Sequence, residues 1–345
     1  MNLGLISRTL SGRRAPPDRL AGAWLGLICV CVVAMIVVGG LTRLTDSGLS
    51  ITEWDLGKGL VPPLTDARWA EEFALYQRTT EYQVQNNGMS LADFQSIYWW
   101  EWGHRFLGKA MGLVFAVPFL FFWVTGRLKG RFWPVLALFA LGGAQGAVGW
   151  WMVTSGLFGR LDVSPIRLAI HLGMAFAILG FGLRLALGAL GWPRGASRLG
   201  APGWMVGLLI TLLFGQVIVG ALLAGNDFGG AYTDWPAIGG ELLPRAWTPL
   251  ALAIHDAWAL QFAHRTLGYV LAGLCLALAI AAARRGGGPA RGLAIAVGLI
   301  GVGQAGLGVL NLVTGSGLPL SALHQAGAIL LWLALNGLAT AVRWR

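Results

Sequence analysis

Eight apolar runs of bilayer-crossing length, at roughly 22–41, 106–125, 133–154, 168–190, 203–224, 263–283, 292–313 and 321–341, dominate this 345-residue chain. A helix of about 20 apolar residues crosses the hydrocarbon, and lipid offers backbone groups no partner outside their own helix. The runs therefore predict an all-α integral membrane protein with eight transmembrane helices. Composition agrees, with 56% hydrophobic and 12% charged residues and a mean hydropathy of +0.66, which excludes an ordinary soluble globule.

The formal charge of +10 is distributed by topology. Arg8, Arg13, Arg14 and Arg19 precede the first run, and Arg127, Lys129 and Arg131 lie between the second and third. Arg194 and Arg198 separate the fourth from the fifth, Arg284, Arg285 and Arg291 the sixth from the seventh, and Arg343 and Arg345 end the chain. Positive residues in short loops stay in the cytoplasm, so both termini are expected there, with segments 42–103, 155–167, 225–262 and 314–320 on the opposite face. Charge spread in this way predicts no nucleic-acid partner. Residues 1–21 read as a cytoplasmic tail, and the first run reads as an uncleaved anchor because no small-residue cleavage site adjoins it. Cys29, Cys31 and Cys275 fall inside runs and form no metal-spacing motif.

The sequence contains one unit written twice. "WEWGHRFLGKAMG" (100–112) matches "LQFAHRTLGYVLAG" (260–273), and "GGAQGAVGWWMVTSGL" (142–157) matches "GVGQAGLGVLNLVTGSGL" (301–318), aligning Gln145 with Gln304 and Gly149 with Gly308. "IRLAIHLGMAFAIL" (166–179) matches "SALHQAGAILLWL" (321–333), while "VVGGLTRLTDSGLSITEW" and "VIVGALLAGNDFGGAYTDW" match more weakly. The order is kept throughout, which predicts two tandem four-helix bundles in the same orientation, at 22–190 (with outer loop 42–103) and 203–345, joined by a cytoplasmic linker at 191–202. Gly142, Gly146 and Gly149, at helical spacing, are read as a face for close helix packing in lipid.

The repeat places His104, His171, His264 and His324 at the outer starts of the even-numbered runs, two per bundle. Intramembrane ionisable groups mark function, and two imidazoles projecting into a bundle suit axial ligation of haem iron. Zinc wants four ligands, and none accompany each pair. Arg105 and Arg265 follow two of these histidines, where they either meet haem propionates or snorkel to headgroups. His255 has no counterpart in the first unit and lies about 180° round a helix from His264, so it is read as a loop or interfacial residue.

One charge distinguishes the two units. Glu101 stands three residues before His104, and Gln261 stands three before His264. Residues three apart share a helix face, so Glu101 reaches the His104 cavity unless it faces water or pairs with Arg105. A carboxylate in a poorly solvated site is costly unless it accepts a proton, positions water or stabilises positive charge. On that reading the first bundle does chemistry and the second only carries electrons.

Taken in order, "GGLTRLTDSGLSITEW", "EWGHRFLGK", "HLGMAF", "QFAHRTLGY" and "LHQAGAILL" resemble the haem A synthase family over nearly the whole chain. The resemblance implies a bacterial inner-membrane enzyme, an oxidoreductase that oxidises the C8 methyl of haem O to a formyl group, giving haem A for cytochrome oxidase. It implies substrate haem at His104 and His171, haem b between His264 and His324, and a required Glu at Glu101. Expected partners are haem O synthase, an electron donor and the lipid bilayer, and the sequence is compatible with a homo-oligomer. No cysteine lies in 42–103, so the chain is similar to the cysteine-free branch of proteobacteria and mitochondria. Arg43, Asp46, Glu53, Trp54, Asp55 and Lys58 in that loop are expected either to cover the site or to receive haem. The rival from another class is a di-haem cytochrome b that only transfers electrons, which predicts equivalent sites. A transporter, the other rival, commonly uses inverted repeats and midplane sites.

Overall fold

A computed structural model of the chain describes residues 16–53, 60–193, 195, 199–243 and 250–342. Arg8, Arg13, Arg14, Trp54, Asp55, Lys58, Arg194, Arg198, Arg343 and Arg345 lie outside them. The helices, in order, are α1 (Arg19–Leu44), α2 (Asp66–Tyr76), α3 (Thr80–Val84), α4 (Leu91–Val124), α5 (Phe132–Val153), α6 (Pro165–Ala189), α7 (Trp204–Gly225), α8 (Leu250–Ala253), α9 (Ala257–Arg285), α10 (Pro289–Val313) and α11 (Leu318–Ala341). Eight of them, all but α2, α3 and α8, are long and apolar enough to cross a membrane.

Local chemistry sets the helix ends. Asp18 caps α1 by accepting from the backbone N–H groups of Leu20 and Ala21. Arg127, in the turn after α4, donates to both Asp18 oxygens at 2.8 Å. That hydrogen bond, more than any other influence, holds the Asp18 carboxyl down at about 2. The second membrane helix begins well before its apolar run. Ser90 and Asp93 form a reciprocal capping box, and α4 continues unbroken from Leu91, so His104 sits inside a helix rather than at its start.

The membrane helices pack as two closed rings of four. In one, α1 adjoins α4 and α6, and α5 closes the ring between α4 and α6; in the other, α7 adjoins α9 and α11, and α10 closes it. The rings meet along α6–α7, α6–α11 and α1–α11. Phe176 meets Trp332 edge-on at 5.7 Å across this seam. Two polar pairs cross the seam: Arg184 Nε donates to Asn336 Oδ1 at 3.1 Å, and Gln325 Nε2 donates to the Ile36 carbonyl at 2.7 Å. Gly40 on α1 gives Gln325 its room, since a Cβ there would overlap the carboxamide.

An outer cap covers the first ring. α2 and α3 pack on the extension of α4 through Trp69, Tyr76, Phe94 and Tyr98, with Trp69 and Tyr98 at 5.0 Å and Tyr76 and Phe94 at 5.3 Å. Glu81 on α3 is buried beneath it, 3% exposed. Burial, reinforced by the charge of Glu101, pushes the Glu81 carboxyl from 4.5 up to about 8. Because the folded value lies above the unfolded one, the folded state holds the extra proton, and stability is lost as pH rises from about 4.5 through about 8. Between pH 6 and 9 the loss is expected to be on the order of 1 to 3 kcal/mol. Thermal unfolding of the solubilised protein should therefore show a lower midpoint at pH 9, and Glu81→Gln should flatten that dependence.

Candidate functional site

His104 lies on α4 and His171 on α6, opposite one another across the first ring; His264 on α9 and His324 on α11 stand likewise in the second. His171 lies within electrostatic reach of His104. The His264 and His324 rings have centroids 6.3 Å apart and planes at 67°.

Each imidazole is seated on a glycine of the preceding membrane helix. A Cβ built on Gly39 would stand 2.9 Å from the His104 ring, on Gly149 2.9 Å from His171, on Gly220 3.1 Å from His264 and on Gly308 2.8 Å from His324. Any side chain larger than hydrogen at these positions would push the ring away. The expectation that Gly142, Gly146 and Gly149 form a helix-packing face is therefore corrected. A Cβ at Gly142 or Gly146 would meet nothing within 4 Å, and Gly149 receives an imidazole. Gly149 faces the His171 ring, and no neighbouring backbone approaches any of the three.

Three of the four histidines are also held by a glutamine one helical turn before the seating glycine. Gln145 Nε2 donates to the His171 carbonyl at 2.9 Å and lies 3.2 Å from Nδ1. Gln304 Nε2 donates to the His324 carbonyl at 2.7 Å and lies 3.1 Å from Nδ1. Gln216 Nε2 donates to the His264 carbonyl at 3.0 Å and lies 3.3 Å from Nε2. The Oε1 atoms of all three, and Nδ1 of His264, are buried without a partner among the described residues.

These features fit a haem. Two imidazoles bound to one metal at about 2 Å each have ring centroids roughly 6 Å apart, and His264 and His324 already stand at 6.3 Å.

Beside each α4 or α9 histidine the two units share one loop-locking scheme with one substitution. Arg105 Nη2 donates to the Ile51 carbonyl at 2.8 Å and Nη1 to that of Glu53 at 3.2 Å. Arg265 Nη2 donates to the Tyr232 carbonyl at 3.0 Å and Nη1 to those of Asp234 and Ala237 at 2.9 and 2.8 Å. Glu101 and Gln261 sit under these loops, 3% and 2% exposed. Glu101 Oε1 accepts from Arg105 Nε at 3.0 Å and Nη2 at 2.6 Å, and Oε2 accepts from Ser50 Oγ at 2.7 Å and the Ile51 N–H at 2.8 Å. Gln261 Oε1 accepts from Arg265 Nη2, while its Nε2 donates to the Phe228 carbonyl at 2.7 Å. Both Glu101 oxygens are thus engaged by donors. The carboxylate offers a fixed negative charge and a fixed loop, not an idle lone pair.

The outer loop contributes a bridge between the rings. Arg43 pairs with Asp46 at 2.6 Å, Asp162 at 3.3 Å and Asp227 at 2.5 Å. Asp46 and Asp227 occupy the same place in the two units, and both adopt left-handed backbone, with φ of 47° and 56°. Burial, opposed by Arg43 and aided by Asp227, pushes the Asp162 carboxyl up to about 6. His255 lies exposed in the turn between α8 and α9, as read from the sequence.

Sequence reasoning did not single out Gln216, the role of Gln145 and Gln304, the seats at Gly39 and Gly220, or Ser50. A signal existed for one pair: the repeat aligns Gln145 with Gln304 and Gly149 with Gly308, and a four-residue spacing places each pair on one helix face.

A family model for COX15-CtaA, the cytochrome oxidase assembly proteins, matches residues 22–336. The chain is 47% identical over 333 residues to the haem A synthase of Maricaulis maris, covering 94% of this chain and 97% of that one. It is 43% identical over 342 residues to the haem A synthase of Caulobacter sp. strain K31, covering 96% and 97%. It is 44% identical over 329 residues to that of Rhodospirillum centenum, covering 92% and 87%. With eight membrane-length helices and this extent of identity, the chain is a multi-pass membrane protein that belongs to the haem A synthase family of cytochrome oxidase assembly proteins.

Proposed function

We propose that the chain is an oxidoreductase that converts the C8 methyl of haem O, bound in the first ring between His104 and His171, to the formyl group of haem A. The observation that carries this reading is the one-charge difference between otherwise matched sites: Glu101 in the first, Gln261 in the second. A rival with two equivalent electron-transfer haems gives no reason for that difference. In each of two rounds dioxygen is the oxidant and oxygen source: R–CH3, O2, two electrons and two protons give R–CH2OH and water, and then the same at the alcohol carbon, with the two electrons coming from the external donor through the second ring. The resulting hydrated aldehyde loses water to leave the formyl group.

His104 and His171 hold the substrate, on the seats made by Gly39 and Gly149. Glu101, fixed by four donors, stabilises positive charge that develops beside it and keeps the loop after α1 closed over the site. The same loop excludes water together with the α2–α3 cap. Haem b, held by His264 and His324, supplies one-electron transfer when bound. Arg105 donates to two loop carbonyls besides Glu101, and Arg265 to three besides Gln261, which supports a role in locking the loops at the site mouth, where propionates emerge.

The reading places both termini in the cytoplasm of a bacterial inner membrane, with the haem sites toward the periplasm. The two rings then act as two bundles, 22–190 for substrate and 203–345 for haem b. Haem O synthase and an electron donor are the partners it requires. The test is to express the chain in cells that make haem O and chromatograph the extracted haems by mass. Haem A absent from the vector control and present with the chain is the expected result. Two bound haem b groups with no haem A would replace the synthase with an electron-transfer cytochrome.

A further inference from the structure

One seam of each ring is built from side chains of opposite size. The alignment of His104 with His264 places Phe115 and Phe119 on α4 opposite Cys275 and Ala279 on α9, and that of Gln145 with Gln304 places Phe139 on α5 opposite Gly298 on α10. In the second ring small residues bring the backbones together: a Cβ on Gly298 would overlap Ala279 Cβ, and one on Gly301 would stand 2.8 Å from Cys275 Cβ. In the first ring Phe139 stacks on Phe115 at 5.0 Å and on Phe119 at 5.9 Å. Such rings hold two helix axes apart where glycine lets them approach. Among neighbouring helices within the two rings, α9 and α10 pack most closely and α4 and α5 least.

Beyond this wedge, toward the histidines, the α4–α5 seam stands open. Gly142 occupies the position of Gly301, yet a Cβ there would meet nothing within 4 Å, nor would one on Gly112 or Gly146. Among the described residues α10 buries Ala290, Ala294, Val297, Gly298 and Gly301, whereas α5 buries only Val135 and Leu138, both before Phe139. Pro118, whose counterpart is Leu278, has no N–H for the Val114 carbonyl, and Trp24 Nε1 donates to that carbonyl instead at 3.1 Å. The bond ties α4 to α1, on the side away from α5.

We propose that the open α4–α5 seam is the slot that takes the isoprenoid tail of haem O, and that the wedge of Phe115, Phe119 and Phe139 makes the first ring select haem O. The proposal rests on the reading that haem O binds between His104 and His171. Haem O carries a long branched hydrocarbon where haem b carries a vinyl group, and a hydrocarbon needs apolar walls or lipid around it. A ring for haem b has nothing to pass between its helices and closes; a ring for haem O keeps a gap. The tail stands on the porphyrin edge away from the propionates, so propionates at the Arg105 mouth direct it along α5 toward the wedge. Gly142 lies seven residues, about 10 Å, in that direction from Gly149, the seat of His171. Entry from the side also leaves the loop held by Glu101 and Arg105 in place.

The test is titration of the purified, solubilised chain with haem O and with haem b, the first-ring haem being identified as the one lost in His104→Ala. The wild-type first ring should bind haem O more tightly than haem b. Gly142→Leu puts a side chain into the open seam, and it should weaken haem O binding there about tenfold, leave haem b binding there unchanged, and keep the His264–His324 haem as the mark of a folded chain. Phe139→Gly combined with Phe115→Cys and Phe119→Ala should close the seam and remove the same preference; where that variant fails to hold its second haem, Gly142→Leu alone decides. Equal affinities in the wild type, or a Gly142→Leu chain in which both haems weaken alike or neither does, overturns the slot. A wild-type first ring that binds neither haem overturns the substrate-site reading, and the slot with it.

Discussion

Glu101→Gln is expected to abolish haem A formation, by about 100-fold or more, while leaving haem bound between His264 and His324. The physical argument lies in the donors around the carboxylate. Arg105 reaches Oε1 and the Ser50 hydroxyl and Ile51 N–H reach Oε2. An amide keeps one accepting oxygen, so its NH₂ must face either the guanidinium or the loop N–H, donor against donor. A buried donor left without an acceptor costs about 1–3 kcal/mol, and the Arg105 charge loses its counter-ion as well. Gln261 fits its own site because the equivalent neighbours there are carbonyls of Phe228 and Gly229, which accept. Loss of the fixed charge removes stabilisation worth about two to three orders of magnitude in rate. Haem extraction reads the outcome as haem O or its alcohol in place of haem A. A variant that makes haem A at the wild-type rate would remove Glu101 from the chemistry.

His264→Ala and His324→Ala are each expected to empty the second ring of haem, whereas His104→Ala leaves it filled. The His264 and His324 rings are already set at the spacing that one iron needs, each against a glycine where a Cβ would crowd the ring. Removing one imidazole removes one of two metal bonds and opens an apolar space that no neighbour fills. Haem-to-protein ratio by pyridine haemochrome, with the low-spin signal of the retained haem, distinguishes the variants. Equal loss from His104→Ala and His264→Ala would merge the two sites into one and overturn the division of labour between rings.

Much of this protein is legible along the chain because bilayer physics is severe. The eight spans follow from run length alone, and all eight appear as helices. Chain order also carried the repeat, so His104, His171, His264 and His324 were paired by position before any distance was known. Boundaries were less legible. The start of α4 at Leu91 rests on the Ser90–Asp93 cap and on aromatic packing against α2, neither of which hydropathy registers. The weak match between α1 and α7 concealed the third brace. Gln145 and Gln304 could be aligned, but Gln216 aligns with Met35, and a glutamine-to-methionine difference in a poorly matched segment carries no signal by itself.

The sequence by itself determined the membrane class, the count of spans, the histidine pairs and the single-charge difference between Glu101 and Gln261, because each depends on composition, period or order. Only the tertiary structure decided what those residues touch. It closed the spans into two rings, set His264 against His324 at 6.3 Å, turned the glycines of α1, α5, α7 and α10 into seats for imidazoles, and tied Glu101 to a loop fifty residues earlier in the chain. The reason is one of range: hydropathy and spacing act within a helix, whereas a seat, a brace or a buried ion network joins atoms that meet only after separate helices have packed.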